Sequence, residues 1–300
     1  MWQDKRVSVG FPAYNEAGQI GRAVEEFFLG GLVDEVVVAD NNSADGTAER
    51  AEAAGARVVR EPRQGYGYAC RRALQEATGD LIILAEPDGT FLGKDVLKLL
   101  AYADDFPIVL GTRTSQACIR EGANMRWSLR WGNWAVAKLL QVLFNGSCLT
   151  DVGCTMRLLH RTALARIQGE FTVGGSHFSP EMMILALLHR IPVVQVPLNY
   201  CARVGQSKIT GQMSRAVRVG WAMVGLILRY RLTRLAAGDT ESLDSSLPHS
   251  GRMPSEVEAE SGPPPPARSP ADGGTRTAGG VARRQVPRPT EVVGRAGDAR

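Results

Sequence analysis

The sequence has no apolar stretch long enough to cross a bilayer as a helix. Its longest unbroken apolar-or-glycine run is Val219 to Leu228, and a helical span needs ~20 residues. The opening Met1-Trp2-Gln3-Asp4-Lys5-Arg6 lacks the apolar core of a signal peptide. Cysteine is scarce. The five present (Cys70, Cys118, Cys148, Cys154, Cys201) are odd in number, widely spaced and form no CxxC pair. Neither a zinc site nor a disulfide framework is indicated, and a reducing cytosol is the simplest compartment. Charge of one sign is also lacking. Lys and Arg number 35 against 31 Asp and Glu, a net of +4, too weak to argue for nucleic acid. From Gly238 to Arg300 there is no Phe, Tyr, Trp, Ile or Cys, while 9 of the 16 prolines fall there. Such a stretch cannot bury enough apolar surface to offset its ordering entropy. It reads as a disordered tail behind a working domain of about 237 residues.

What is present is an alternation of strand and helix signals. Strands are expected at Arg6–Pro12, Glu35–Asp40, Ala56–Arg60, Asp80–Ala85 and Pro107–Gly111. Helices are expected at Asn15–Leu29, Asp45–Ala54, Tyr68–Ala77 and Asp95–Ala103. Continuous Val/Ile runs between amphipathic helices predict an α/β fold with a mostly parallel central sheet covered on both faces. Ligands of such sheets lie beyond the carboxyl ends of the strands, so the residues that follow each strand are the informative ones.

After the first strand, Pro12 stops the ladder and Ala13, Asn15 and Glu16 stand where a ligand would lie; Asn15 is equally a helix N-cap. The second strand ends in Asp40, which can accept hydrogen bonds from a base or ribose, and Ser43 or Asp45 can cap the next helix. After the third strand, Gly65 and Gly67 permit close backbone approach to a nucleotide. The fourth strand runs into Glu86-Pro87-Asp88-Gly89. Two carboxylates so close repel unless a cation lies beside them. Hard oxygen ligands suit Mg²⁺ or Mn²⁺, which in turn bridges a diphosphate. Read alone, the segment is equally an acidic turn.

The order of these pieces is more specific than any one. Pro-x-x-Asn-Glu, a strand ending in Asp, Gly-x-Gly and the acidic Glu86-Pro-Asp88 resemble the family 2 glycosyltransferases with the GT-A fold, above all the polyprenyl-phosphate (dolichyl-phosphate mannose or glucose synthase-like) sugar transferases. The resemblance covers roughly residues 5 to 210. Asp151-Val-Gly-Cys-Thr-Met-Arg157, Phe178-Ser-Pro-Glu181 and Val196-Pro-Leu-Asn-Tyr-Cys-Ala-Arg203-Val-Gly-Gln-Ser-Lys208 extend it. The family usually has Asp-x-Asp where this chain has Glu86-Pro-Asp88, and often Asp-Asp-Gly-Ser where this chain has Asp40-Asn-Asn-Ser43.

The resemblance implies transfer of a sugar from a nucleoside-diphosphate sugar, with inversion. Asp88 would carry the metal, with Glu86 on it or on ribose. Arg203 and Lys208 would close over the phosphates. A phosphate-monoester acceptor is already a competent nucleophile. An alcohol acceptor would need a general base, for which Asp151 and Glu181 are the candidates. Both also have structural readings, as a turn cap and as a helix-start carboxylate.

Two segments suit a lipid acceptor. Trp127, Trp131, Trp134 and Lys138 share one face of a helix whose other face holds Leu129, Val136, Leu140 and Leu143; either the Trp/Lys stripe meets lipid headgroups or the tryptophans pack in the core. Residues 211–237 read as an apolar helix flanked by Arg215, Arg218, Arg229, Arg231 and Arg234, which suits a membrane surface or, alternatively, an ordinary C-terminal docking or dimer helix. A membrane-surface helix is expected there, following a catalytic domain at 1–210 and preceding the 238–300 tail. The expected setting is therefore cytoplasmic, peripheral on the inner face of the cell membrane, with no nucleic-acid partner. Transfer to a soluble alcohol or a cell-envelope saccharide, and a nucleotide-sugar-binding module without turnover, are the alternatives.

Overall fold

The computed structural model describes residues 1–236, apart from 124–126, 147 and 205–212. The 238–300 tail and Lys208 lie outside the described residues. The chain builds one seven-stranded sheet in the order β3-β2-β1-β4-β6-β5-β7. Its strands are β1 (Val7–Ala13), β2 (Glu35–Asp40), β3 (Arg57–Arg60), β4 (Leu81–Leu84), β5 (Ile108–Thr112), β6 (Arg157–His160) and β7 (Val193–Pro197). The helices are α1 (Ile20–Leu29), α2 (Thr47–Ala53), α3 (Tyr66–Glu76), α4 (Val96–Leu100), α5 (Trp127–Phe144), α6 (Arg161–Ile167), α7 (Phe178–Leu188) and α8 (Met213–Ala236).

The Val/Ile strands bury both faces because each supplies alternate residues to two cores. Val36, Val38, Leu81 and Ile83 pack under α1, α2 and α4. Val37, Ala39, Ile82 and Leu84 pack under α3, α5, α6, α7 and α8. This two-sided burial is what a mostly parallel sheet requires.

Strand β6 runs antiparallel to both β4 and β5, and every other pairing is parallel. This reversal has a functional consequence. It brings residues 151–155, which precede β6, to the edge where the carboxyl ends of β1, β2, β4 and β5 emerge.

Two local expectations are corrected. Pro12 does not stop the ladder. Strand β1 pairs with β2 out to Ala13↔Asp40, whereas its pairing with β4 ends at Gly10↔Leu84. The Gly10 carbonyl accepts from Ala85 N and the Ala13 carbonyl from Asn41 N, so Pro12 faces the β4 side, where no donor is called for. The first helix begins at Ile20 rather than Asn15. Asn15 sits at φ +52° and is not an N-cap. Its backbone N donates to Ser43 Oγ at 3.0 Å and its Oδ1 accepts from Ala44 N at 2.9 Å, so its polar groups join two loops.

Candidate active site

A cleft of about 580 Å³ opens at the carboxyl edge of the sheet. Its floor comes from the turns after β1 and β4, its polar flank from the loops after β2, β5 and β7, and its apolar wall from α5 and α8. Pro12, Ala13, Glu16, Glu86, Asp88 and Arg203 all line it. Six of the residues singled out in the sequence thus converge, although they span most of the domain.

Arg203 forms the centre of this cluster. Its Nη2 donates to Glu16 Oε1 at 2.6 Å and its Nη1 lies 3.2 Å from Asp88 Oδ2. Burial would lower the basicity of its guanidinium, but Asp88 and Glu16 outweigh that and hold the charge. The other Asp88 oxygen, Oδ1, accepts from Thr90 N at 3.0 Å and Thr90 Oγ1 at 2.5 Å. Glu86 Oε1 accepts from Tyr66 OH and from Thr155 Oγ1, each at 2.9 Å. Burial, reinforced by repulsion from Asp88, pushes the Glu86 carboxyl up to about 7. Glu86 is therefore held partly neutral near neutral pH in the free cleft.

Other expected residues lie elsewhere. Asp40 ends β2 but does not line the cleft; its oxygens accept Ser43 N at 3.3 and 3.4 Å. Its neighbour Asn41 lines the cleft instead. Asn41 Nδ2 donates to the Glu61 and Arg63 carbonyls at 2.9 and 2.7 Å, and its Oδ1 accepts Gly65 N at 2.8 Å. It thereby fastens the loop after β2 to the loop after β3. The close approach at Gly65 and Gly67 is made by protein backbone. A Cβ on Gly65 would meet Gly174 O at 2.4 Å, and one on Gly67 would meet Val173 O at 2.5 Å.

Neither expected base faces the cleft as a free carboxylate. Asp151 is fully buried and accepts Arg113 N at 3.0 Å, Nε at 2.9 Å, Nη2 at 3.0 Å and Gly153 N at 2.9 Å. Burial alone would raise its carboxyl, but the Arg113 guanidinium overrides this and holds it below the usual range. Glu181, on α7, accepts Thr172 N at 2.9 Å, Thr172 Oγ1 at 2.6 Å and Tyr230 OH at 3.0 Å, as well as Val173 N. It fixes α8 and the 172–174 segment to the domain.

Arg113, Tyr66, Thr155 and Tyr200 line the cleft without having been singled out. Arg113 directly follows β5, and the rule that led to Asp40 and Asp88 applies to it equally. Its guanidinium lies 5.3 Å from the Tyr200 ring centre.

The Glycosyl transferase family 2 model matches residues 8–168, more than half of the chain. The chain belongs to glycosyl transferase family 2. This glycosyltransferase is 31% identical over 210 residues to the low-salt glycan biosynthesis hexosyltransferase Agl6 of Haloferax volcanii, covering 68% of this chain and 49% of that protein. It therefore spans about half the length of that relative. It is 29% identical over 231 residues to the dolichyl-phosphate hexose transferase of the same organism, covering 75% of this chain and 96% of that protein. Among solved structures, it resembles the glucosyl-3-phosphoglycerate synthase of Mycobacterium tuberculosis in complex with Mn²⁺, UDP and glucosyl-3-phosphoglycerate. The TM-score is 0.57 at 22% identity, over 76% of this chain and 80% of that one. A likeness at that identity establishes the GT-A-type fold.

Proposed function

We propose that this glycosyltransferase moves a sugar from a nucleoside-diphosphate donor to a polyprenyl phosphate or other lipid acceptor, with a divalent metal at Asp88. The observation that carries the reading is the placement of Glu86 and Asp88 on the floor of a cleft whose opposite wall is apolar. The donor set suits Mg²⁺ or Mn²⁺: two oxygen-bearing carboxylates whose mutual repulsion a cation relieves. Among the described residues no group of three or more His, Cys, Asp and Glu converges into a closed cage. Asp88, with Glu86, would therefore supply part of the coordination and the diphosphate oxygens the rest. The metal, when bound, stabilises charge on the departing diphosphate. Arg203 would bind the same phosphates, with Lys208 as its expected companion. Pro12, Ala13 and Asn41 would border the nucleoside.

The surroundings of the carboxylates support the choice of acceptor. Asp151 and Glu181 are already filled with donors, so an alcohol would find no spare base in either. A phosphate monoester carries ≈ −1.5 to −2 charges near neutral pH and needs a cation rather than a base. Arg113, held by Asp151 and lining the cleft, suits that purpose. For the hydrocarbon, Leu129, Val136, Val217 and Met223 supply the apolar wall. On the outside of the same helices Trp131 is 61% and Trp221 72% exposed, and Arg218 is exposed. No helix among the described residues is long and apolar enough to cross a membrane. The Trp/Arg surface fits peripheral attachment to the cytoplasmic face. A lipid-phosphate acceptor finds support in the name of the dolichyl-phosphate relative, whereas a small phosphorylated alcohol, as the name of the glucosyl-3-phosphoglycerate synthases suggests, is the second reading.

The deciding experiment incubates the protein with a panel of nucleotide sugars, Mn²⁺ and either a polyprenyl phosphate or phosphoglycerate, and reads products by mass spectrometry. A glycosylated lipid phosphate is expected. Product with phosphoglycerate alone would replace the lipid reading. Asp88→Ala should lower transfer at least a hundredfold, a loss of about 2.7 kcal/mol of transition-state stabilisation. Near-normal transfer by that variant would overturn the metal assignment.

A further inference from the structure

Arg203 bridges two carboxylates from separate loops, and its own backbone is pinned beside one of them. Cys201 N donates to Thr90 O at 2.9 Å and Val204 N to Asp88 O at 3.1 Å. The guanidinium is therefore delivered to Asp88 by the loop after β7, as a fixed feature of the fold. Its Nη1 and Nη2 are engaged by Asp88 and Glu16, but its Nε is buried and makes no hydrogen bond. A buried donor without an acceptor bears a desolvation cost with nothing returned. An oxygen of an incoming anion would satisfy it.

The two Asp88 oxygens are divided. Oδ1 takes both donors of Thr90, and Oδ2 faces Arg203. Oδ2, the oxygen that Thr90 leaves open, is thus already opposite a positive charge. A divalent cation arriving at that oxygen would meet a guanidinium at contact distance, and like charges so close repel strongly in a half-buried site.

We infer that Arg203 is the internal counter-ion of the free cleft: it competes with the divalent cation for Asp88 until the donor's diphosphate draws it away. This rests on the metal-and-donor reading above. The fork of Arg203 can leave Asp88 for phosphate oxygens, which also supply the acceptor its Nε lacks. The vacated carboxylate oxygen then receives the metal. Metal and nucleotide each favour the state the other requires, so each raises the other's affinity by the same factor. The free enzyme binds metal weakly, and the metal enters with the nucleotide.

The test titrates the full-length protein with Mn²⁺ and follows free Mn²⁺ by electron paramagnetic resonance, without and with UDP. For the wild type, UDP should tighten Mn²⁺ binding at least fivefold, the lower end of the usual ~5–150-fold range of coupling. Direct contact between diphosphate and metal contributes to that figure, so the decisive readout is the metal alone. Arg203→Met should bind Mn²⁺ at least fivefold more tightly than wild type without nucleotide, a direction that loss of structure does not produce. The same variant should bind UDP more weakly. Arg203→Lys, which keeps the charge but loses the fork, should fall between. Cooperative thermal melting certifies each variant, and should Arg203→Met melt without cooperativity, the direction of the Arg203→Lys change decides. A folded variant that binds Mn²⁺ alone no more tightly than wild type overturns the inference. A wild type that takes up no Mn²⁺ even with UDP overturns the metal-and-donor reading as well.

Discussion

Replacing Asp151 with Asn separates a proton acceptor from a positioning residue. Asp151 receives four N–H donors, three of them from Arg113, and has no exposed side-chain surface. The Asp151→Asn variant keeps one acceptor oxygen but turns an amide N–H₂ towards a donor and leaves the largely buried Arg113 guanidinium without its counter-ion. Removing one member of a buried ion pair costs about 3–5 kcal/mol, and the retained oxygen argues for the lower end, about 3. For a domain of 150–250 residues each kcal/mol shifts the melting temperature by roughly 2–4 °C, so a fall of roughly 6–12 °C is expected. The pH dependence adds a signature. The folded carboxyl is held below its usual value, so its contribution is complete above the unfolded value of ~3.9 and is lost as pH falls further. The melting gap between wild type and Asp151→Asn should be constant from neutral pH down to about 5 and shrink below about 4. The assay is thermal melting by circular dichroism across that range. The Arg113→Met/Asp151→Leu double variant should melt closer to wild type than Asp151→Asn does, because no charge is left unpaired. A variant that melts within about 2 °C of wild type yet has lost transfer would refute this reasoning and restore Asp151 as the base.

Other changes follow from the packing and the charges. Gly67→Ala would drive a Cβ to 2.5 Å from Val173 O and 2.8 Å from Gly174 C, both backbone. A loss of about 1–3 kcal/mol is expected in urea unfolding, and unchanged stability would show that the contact is not close-packed. Burial opposes ionisation of Glu35, but hydrogen bonds from Ser8, Thr78 and Arg57 win and bring its carboxyl to about 2. Since its folded pKa is depressed, the stability gap between wild type and Glu35→Gln should hold above about 4.5 and close as pH falls towards 2. Trp131→Ala/Trp134→Ala, changed on the exposed side of α5, should float less with anionic liposomes at low salt while melting as wild type. Equal flotation would remove that face from membrane contact.

The strand pattern was legible because both cores draw on alternate residues of the same Val/Ile runs, and a run buried on both faces needs no partner to announce itself. The turns after β1 and β4 were legible for the same reason: a carboxylate directly following a buried strand has few places to be. Arg113 meets the same criterion after β5, but a lone cation after a strand is also a common surface residue, so its sequence position alone does not mark it. Nothing local shows that Asn15 is not an N-cap, because the partner of its side chain is a loop 29 residues away. Gly65 and Gly67 do permit a close approach, but the group that approaches is backbone of the same chain. Nothing local distinguishes a nucleotide from the Val173–Gly174 backbone.

The sequence by itself determined the class of fold, the edge at which the cleft opens and the juxtaposition of Glu86 and Asp88, because each is set by neighbours in the chain: strand period, burial and the closeness of the two carboxylates. Tertiary structure alone decided which charges meet. The reversal of β6 places Asp151 beside Arg113, 38 residues away. The loop after β7 carries Arg203 to Glu16 across 187 residues. Whether a carboxylate acts as base, anchor or metal ligand depends on which donors already fill its oxygens, and those donors arrive from distant segments only when the chain has folded.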